Sequence, residues 1–153
     1  MPGTGVPPQS PRPSQGPPSP ESPRCTLRSV VLDCPDAHRL AAFYGALLGW
    51  PVRASEPGWV HLRPPGGALG LSLQTEEGYE PPLWPERPGR QQKMVHLDIQ
   101  VDDLAAAVRH ALDLGATRPA APEQGDPLPE QDGLRVLLDP AGHPFCLFLD
   151  AVT

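Results

Sequence analysis

The stretch HLDIQVDDLAAAVRHALDLG, residues 96–115, reads as a strand running straight into a capped helix. Leu97, Ile99 and Val101 alternate with His96, Asp98 and Gln100, the period-two pattern of a strand with one apolar and one polar face. Asp103 is placed to cap the helix, Leu104, Val108, Ala111 and Leu112 form its apolar stripe, and Gly115 stops it. The same passage occurs earlier. SVVLDCPDAHRLAAFYGALLG, residues 29–49, alternates as far as Cys34 and then offers Asp36 as a cap. Leu40, Phe43, Tyr44, Leu47 and Leu48 share one helix face, and Gly49 closes it. From Asp36 to Gly49 is 13 positions and from Asp103 to Gly115 is 12, so the chain repeats itself.

The flanking sequence continues the repeat. Apolar runs near Val52, at 59–62 and at 68–73 follow the first helix, with Pro64-Pro65-Gly66-Gly67 turning between the last two. A weaker strand near 116–120 follows the second helix. Runs at 134–138 and 145–149 then flank the turn Asp139-Pro140-Ala141-Gly142. The pattern is βαβββ twice, an α+β domain of two modules, about 27–75 and 93–150, joined by a linker at 76–92.

What precedes the repeat has a different character. Residues 1–24 hold nine prolines and cannot bury enough apolar surface to offset the entropy of ordering, which predicts a disordered Pro-rich tail before a domain at 25–153. The tail lacks the apolar run of a signal peptide, and no later stretch is long enough to span a bilayer. A net charge of −6, with Lys93 the only lysine and the arginines scattered, argues against nucleic acid and anionic membranes as partners. Cys25, Cys34 and Cys146 form no CxxC pair, which fits reduced thiols in a cytoplasmic protein.

Taken with LAAFYGALLGW at 41–50, the 96–107 passage and the closing LLDPAGHPFCLFLD at 137–150, this order resembles the vicinal oxygen chelate superfamily, nearest to its glyoxalase-like and bleomycin-resistance-like members. The resemblance covers residues 27–150 and implies two modules that curl their mixed sheets into a cup, helices outside and a ligand cavity within. By strand parity Ser29, Val31 and Asp33, like His96, Asp98 and Gln100, face away from the helices.

Metal-dependent members of that superfamily use four inward side chains, one from the first and one from the last strand of each module. The matching positions here are Ser29, His96 and Cys146, with the fourth near Ser72 or Gln74. Two neutral hydroxyls are poor ligands for Zn, Ni, Mn or Fe, so the expectation is no metal cofactor, with His96 and Cys146 the only weak candidate ligands. The expected ligand-binding set is Ser29, Ser72, Gln74, His96 and Cys146, closed over by Tyr79 and Trp84 of the linker. A bland reading stands beside each of these. His96 is a buried structural histidine or a pocket acid–base group, Cys146 a small packed hydrophobe, and Tyr79 and Trp84 mere anchors of the linker.

The resemblance implies a metal-independent, homodimeric small-molecule binder that sequesters a toxic metabolite or antibiotic. The alternative is a lyase, isomerase or dioxygenase using a divalent ion or His96 as catalytic base. A third reading leaves the pocket vestigial and gives the Pro-rich arm a recruiting role. The ligand's identity is not written in the sequence.

Overall fold

The computed structural model describes residues 23–120 and 132–149. Nearly all of the Pro-rich tail, and the end of the chain beyond 149, lie outside them. The first half runs β1 (Ser29–Cys34), α1 (Ala37–Leu48), β2 (Val52–Glu56), β3 (Trp59–Leu62) and β4 (Gly70–Thr75). The second runs β5 (Leu97–Val101), α2 (Leu104–Asp113), β6 (Leu134–Leu138) and β7 (Pro144–Leu149).

Both helices start where a carboxylate meets orphan backbone donors. Asp36 accepts from the N–H groups of His38 and Arg39, and Asp103 from that of Ala106. Gly49 takes the left-handed conformation at the end of α1 (φ 67°), which a side chain would resist.

Each half folds its last strand back beside its first, in parallel. The first sheet has the order β1-β4-β3-β2 and the second β5-β7-β6. The strand expected near 116–120 shrinks to a single antiparallel bridge, Thr117 with Leu138. Thr117 and Leu138 exchange both backbone hydrogen bonds. The next such pair would call on residue 119, a proline with no N–H to give, so the ladder stops there. The two sheets stay separate and unclosed, with β1 and β5 as outer strands.

The core lies between sheets and helices and crosses the repeat boundary. Leu32 and Cys34 of β1, Leu71 and Leu73 of β4 and Val60 and Leu62 of β3 are buried with Leu40, Phe43 and Tyr44 of α1. The rings of Phe43 and Tyr44 meet Phe145 of β7 edge-on, at 5.9 and 6.4 Å between centroids. Fully burying a side chain of this size stabilises by roughly 1.5–3 kcal/mol, so these rings tie the first helix to the second sheet. Ser29, Val31, Asp33, His96, Asp98 and Gln100 are left on the helix-free faces, as parity requires; Val31 is 47 % exposed.

Candidate functional site

On the first sheet three strands bring four side chains together. The Ser29 and Ser72 hydroxyls are 2.7 Å apart, and Ser72 Oγ lies 2.9 Å from Nδ1 of His61. The ring of Trp59 stacks on that of His61, 5.8 Å between centroids and only 5° from parallel. Register explains the grouping, since Val31 and His61 both pair with Ser72, and Trp59 pairs with Gln74. Gly70 makes room for it. A Cβ there would fall 2.3 Å from His61 Cε1 and 2.6 Å from the Leu62 carbonyl oxygen. Burial, with the nearby Arg63 and Arg28 guanidiniums, holds His61 below the ordinary imidazole value and so keeps the ring neutral. The cluster is uncharged, bridged by hydroxyls and backed by an indole face.

On the second sheet the parallel pairing of β5 with β7 sets Asp98 beside Cys146. His96 Nε2 is 3.4 Å from Asp98 Oδ1, and the ligand-capable atoms of His96, Asp98 and Cys146 lie within 4.8 Å of one another. Burial raises the Cys146 thiol above its usual value, and the charge and hydrogen bond of Asp98 raise it further, with Lys93 opposing. A thiol so placed is a poor nucleophile on its own.

The remaining expected residues are engaged elsewhere. Gln74 donates to Glu76. The Tyr79 hydroxyl donates to the Ala141 carbonyl at 2.9 Å and lies 3.1 Å from His143 Nε2. Trp84 carries the ammonium of Lys93 over its ring, 4.0 Å from the centroid, and its own Nε1 is buried without a hydrogen-bond partner among the described residues. The structure thus brings Ser29 to Ser72 and His96 to Cys146, while Tyr79 lines a different space. That space is a cavity of about 190 Å3 between the linker, β1 and the hairpin turn.

Trp59, His61 and Asp98 stand outside the expected ligand-binding set. Trp59 and His61 were legible in principle, because Val60 and Leu62 alternate with them and both are core. Asp98 was placed on the helix-free face by parity but not among the expected ligands. Only the β5–β7 register, which no sequence pattern states, sets it beside Cys146.

The superfamily's metal can be tested against these donors. An ion shared between the two sheets does not fit, since Ser29 and Ser72 are neutral and hydrogen-bonded to each other. Among the described residues His96, Asp98 and Cys146 together offer nitrogen, oxygen and sulfur, a set that suits a borderline ion such as zinc with one position left open.

Comparison with known proteins agrees with the fold. The chain is similar to a glyoxalase/bleomycin resistance protein/dioxygenase family enzyme from Burkholderia phytofirmans PsJN, with 19% identity and a TM-score of 0.59 over 83% of this chain and 100% of that one. It is similar to the bleomycin resistance determinant encoded on transposon Tn5, with 24% identity and a TM-score of 0.52 over 84% and 100% of the two chains. It is also similar to TnmS3, an antibiotic binding protein from Streptomyces sp. CB03234, with 18% identity and a TM-score of 0.52 over 86% and 100%. No curated protein sequence matches it. The family profile described as Glyoxalase-like domain matches residues 29–148, from the first residue of β1 to within a residue of the end of β7. The duplicated halves, the parallel return strands and that match together make this chain a member of the glyoxalase-like domain family, within the vicinal oxygen chelate superfamily.

Proposed function

We propose that this protein binds an organic small molecule against the helix-free faces of its sheets, without an ion shared between them, and sequesters it. The observation that carries this is the Trp59–His61–Ser72–Ser29 cluster. It offers a stacked aromatic face and neutral hydrogen-bonding groups where a metal enzyme of this superfamily would need charged ligands. The antibiotic-binding and bleomycin-resistance relatives support a toxic metabolite or antibiotic as cargo.

A second copy completes the site in this reading. β1 and β5 are outer strands, and the faces beside them expose Val31, Asp33, Asp98 and Gln100, so a homodimer would cover them. Three free cysteines support a reducing compartment such as the cytoplasm in this reading. None of the described helices is long and apolar enough to cross a membrane.

The test is native mass spectrometry for co-purified ligand and subunit number, followed by tryptophan-fluorescence titration with a metabolite and antibiotic panel. Binding that weakens tenfold or more in His61→Ala supports the reading. Tight binding indifferent to His61→Ala and Ser72→Ala overturns it.

One observation favours a second reading, a metal-dependent lyase, isomerase or dioxygenase in which His96 is a ligand of the ion. That observation is the clustering of His96, Asp98 and Cys146. It requires a stoichiometric ion in purified protein that is lost in both Asp98→Ala and Cys146→Ser.

A further inference from the structure

We infer that the molecule held on the first sheet is an aromatic anion, its charged group set between Arg28 and Arg63 and its rings laid along His61 and Trp59. This rests on the sequestration reading and names the class of cargo. The two arginines flank one end of β4. Arg28 stands directly before Ser29, the partner of Gly70 in the β1–β4 register, and its carbonyl accepts from the Gly70 N–H at 2.9 Å. Arg63 follows β3 one residue beyond the Leu62–Leu71 pair, so the register carries it toward Gly70 from the other side. Between them β4 offers only a glycine with the His61 ring lying over it, since a Cβ there would fall 2.3 Å from His61 Cε1.

Neither arginine is neutralised within the chain. Among the described residues no carboxylate pairs with Arg28 or Arg63, although the whole chain carries a net charge of −6. Two like charges left around one ring repel each other, and an anion between them removes that repulsion while accepting charge-assisted hydrogen bonds from both. Their field reaches the cluster, because burial first, and then Arg63 and Arg28, hold His61 below its ordinary value. Nδ1 of His61 is taken up by Ser72, whereas Nε2 makes no hydrogen bond among the described residues and lies on the Gly70 side of the ring. That nitrogen and the two guanidiniums converge on the glycine end of the strand.

The other end of the same face has the opposite charge. Glu56 pairs with Trp59, Trp59 with Gln74 and Gln74 with Asp33, so one rung across four strands sets a carboxylate on either side of the indole. From Trp59 to Arg63 is four residues of chain, about 13 Å if fully extended. A ligand charged negatively at both ends is repelled at the Trp59 end, and a neutral one leaves the guanidiniums without a partner. What fits is a flat apolar body, stacked on the indole, with one acidic group at its far end. That group is a carboxylate or a phosphate ester, which the guanidinium fork receives alike.

Isothermal titration calorimetry of the full chain with 2-naphthoate, 2-naphthyl phosphate and 2-naphthamide tests this. At least one of the anions should bind about tenfold tighter than the amide, the margin of charge-assisted over neutral hydrogen bonds, and the tighter anion names the acidic group. Arg28→Gln, at an exposed position, and Arg63→Gln should each cut that margin to about threefold or less while leaving the amide unchanged. Equal affinity for acid and amide, no binding of any probe, or a margin that survives the substitutions overturns the inference. If Arg63→Gln does not fold, Arg28→Gln alone decides. The inference and the sequestration reading fail separately in His61→Ala. Acid and amide bound alike, and both weakened there, sink the anion and leave the reading standing. A margin that needs the arginines but ignores His61→Ala keeps the anion's contact and sinks the reading.

Discussion

The three thiols occupy three environments, and each should react accordingly. Cys25 is exposed, Cys146 is half-buried with its thiol raised, and Cys34 is fully buried with its thiol pushed up to about 11, chiefly by burial. A disulfide reagent at neutral pH should consume Cys25 at once, Cys146 slowly and Cys34 only on unfolding. Three equal rates would show that the core is not closed. The sign for stability follows, because the fold prefers Cys34 protonated. That contribution is whole below the thiol's ordinary value and fades as pH climbs toward about 11, so alkaline melting curves should drop over that window and drop less in Cys34→Ala. Gly70 makes the second prediction at this scale. Gly70→Ala should cost about 1–3 kcal/mol in urea unfolding, and His61→Ala should rescue it only in part, because the Leu62 carbonyl is still in the way.

Helix boundaries were the most legible elements, since capping chemistry is local. Asp36 and Asp103 were both readable as caps and both serve as caps. The sequence does not say that Asp36 takes two N–H groups and Asp103 one. Asp36→Ala should therefore cost about 1–2 kcal/mol in chemical denaturation and Asp103→Ala about half as much, and the reverse order would refute the capping geometry. Strands were legible as alternation and less so at their ends. Proline at 119 was visible all along, but its effect depends on an antiparallel partner at Leu138 that only the folded chain reveals.

For the whole molecule, the repeat announced the fold, while the contacts that join its halves stayed hidden. Nothing in the spacing of Tyr44 and Asp139, 95 positions apart, foretells that one hydroxyl seals the other's carboxylate. The candidate site divides the same way. Faces followed from parity, whereas the meetings of Ser72 with His61 and of Asp98 with Cys146 depend on register. Tyr44→Phe leaves the carboxylate one donor short and should cost about 1.5–3 kcal/mol by urea denaturation. A loss below about half a kcal/mol would mean that the halves do not rely on this bond.

The repeats are alike in topology and unequal in what they hide. α1 carries Phe43 and Tyr44 across to Phe145, while the buried residues of α2 are only Val108 and Ala111. A gene cut within the linker would thus yield two peptides, one with a bare aromatic ridge and one with a stranded carboxylate. Two copies of either could not substitute for the pair, but mixing the unlike fragments would let each supply what the other lacks.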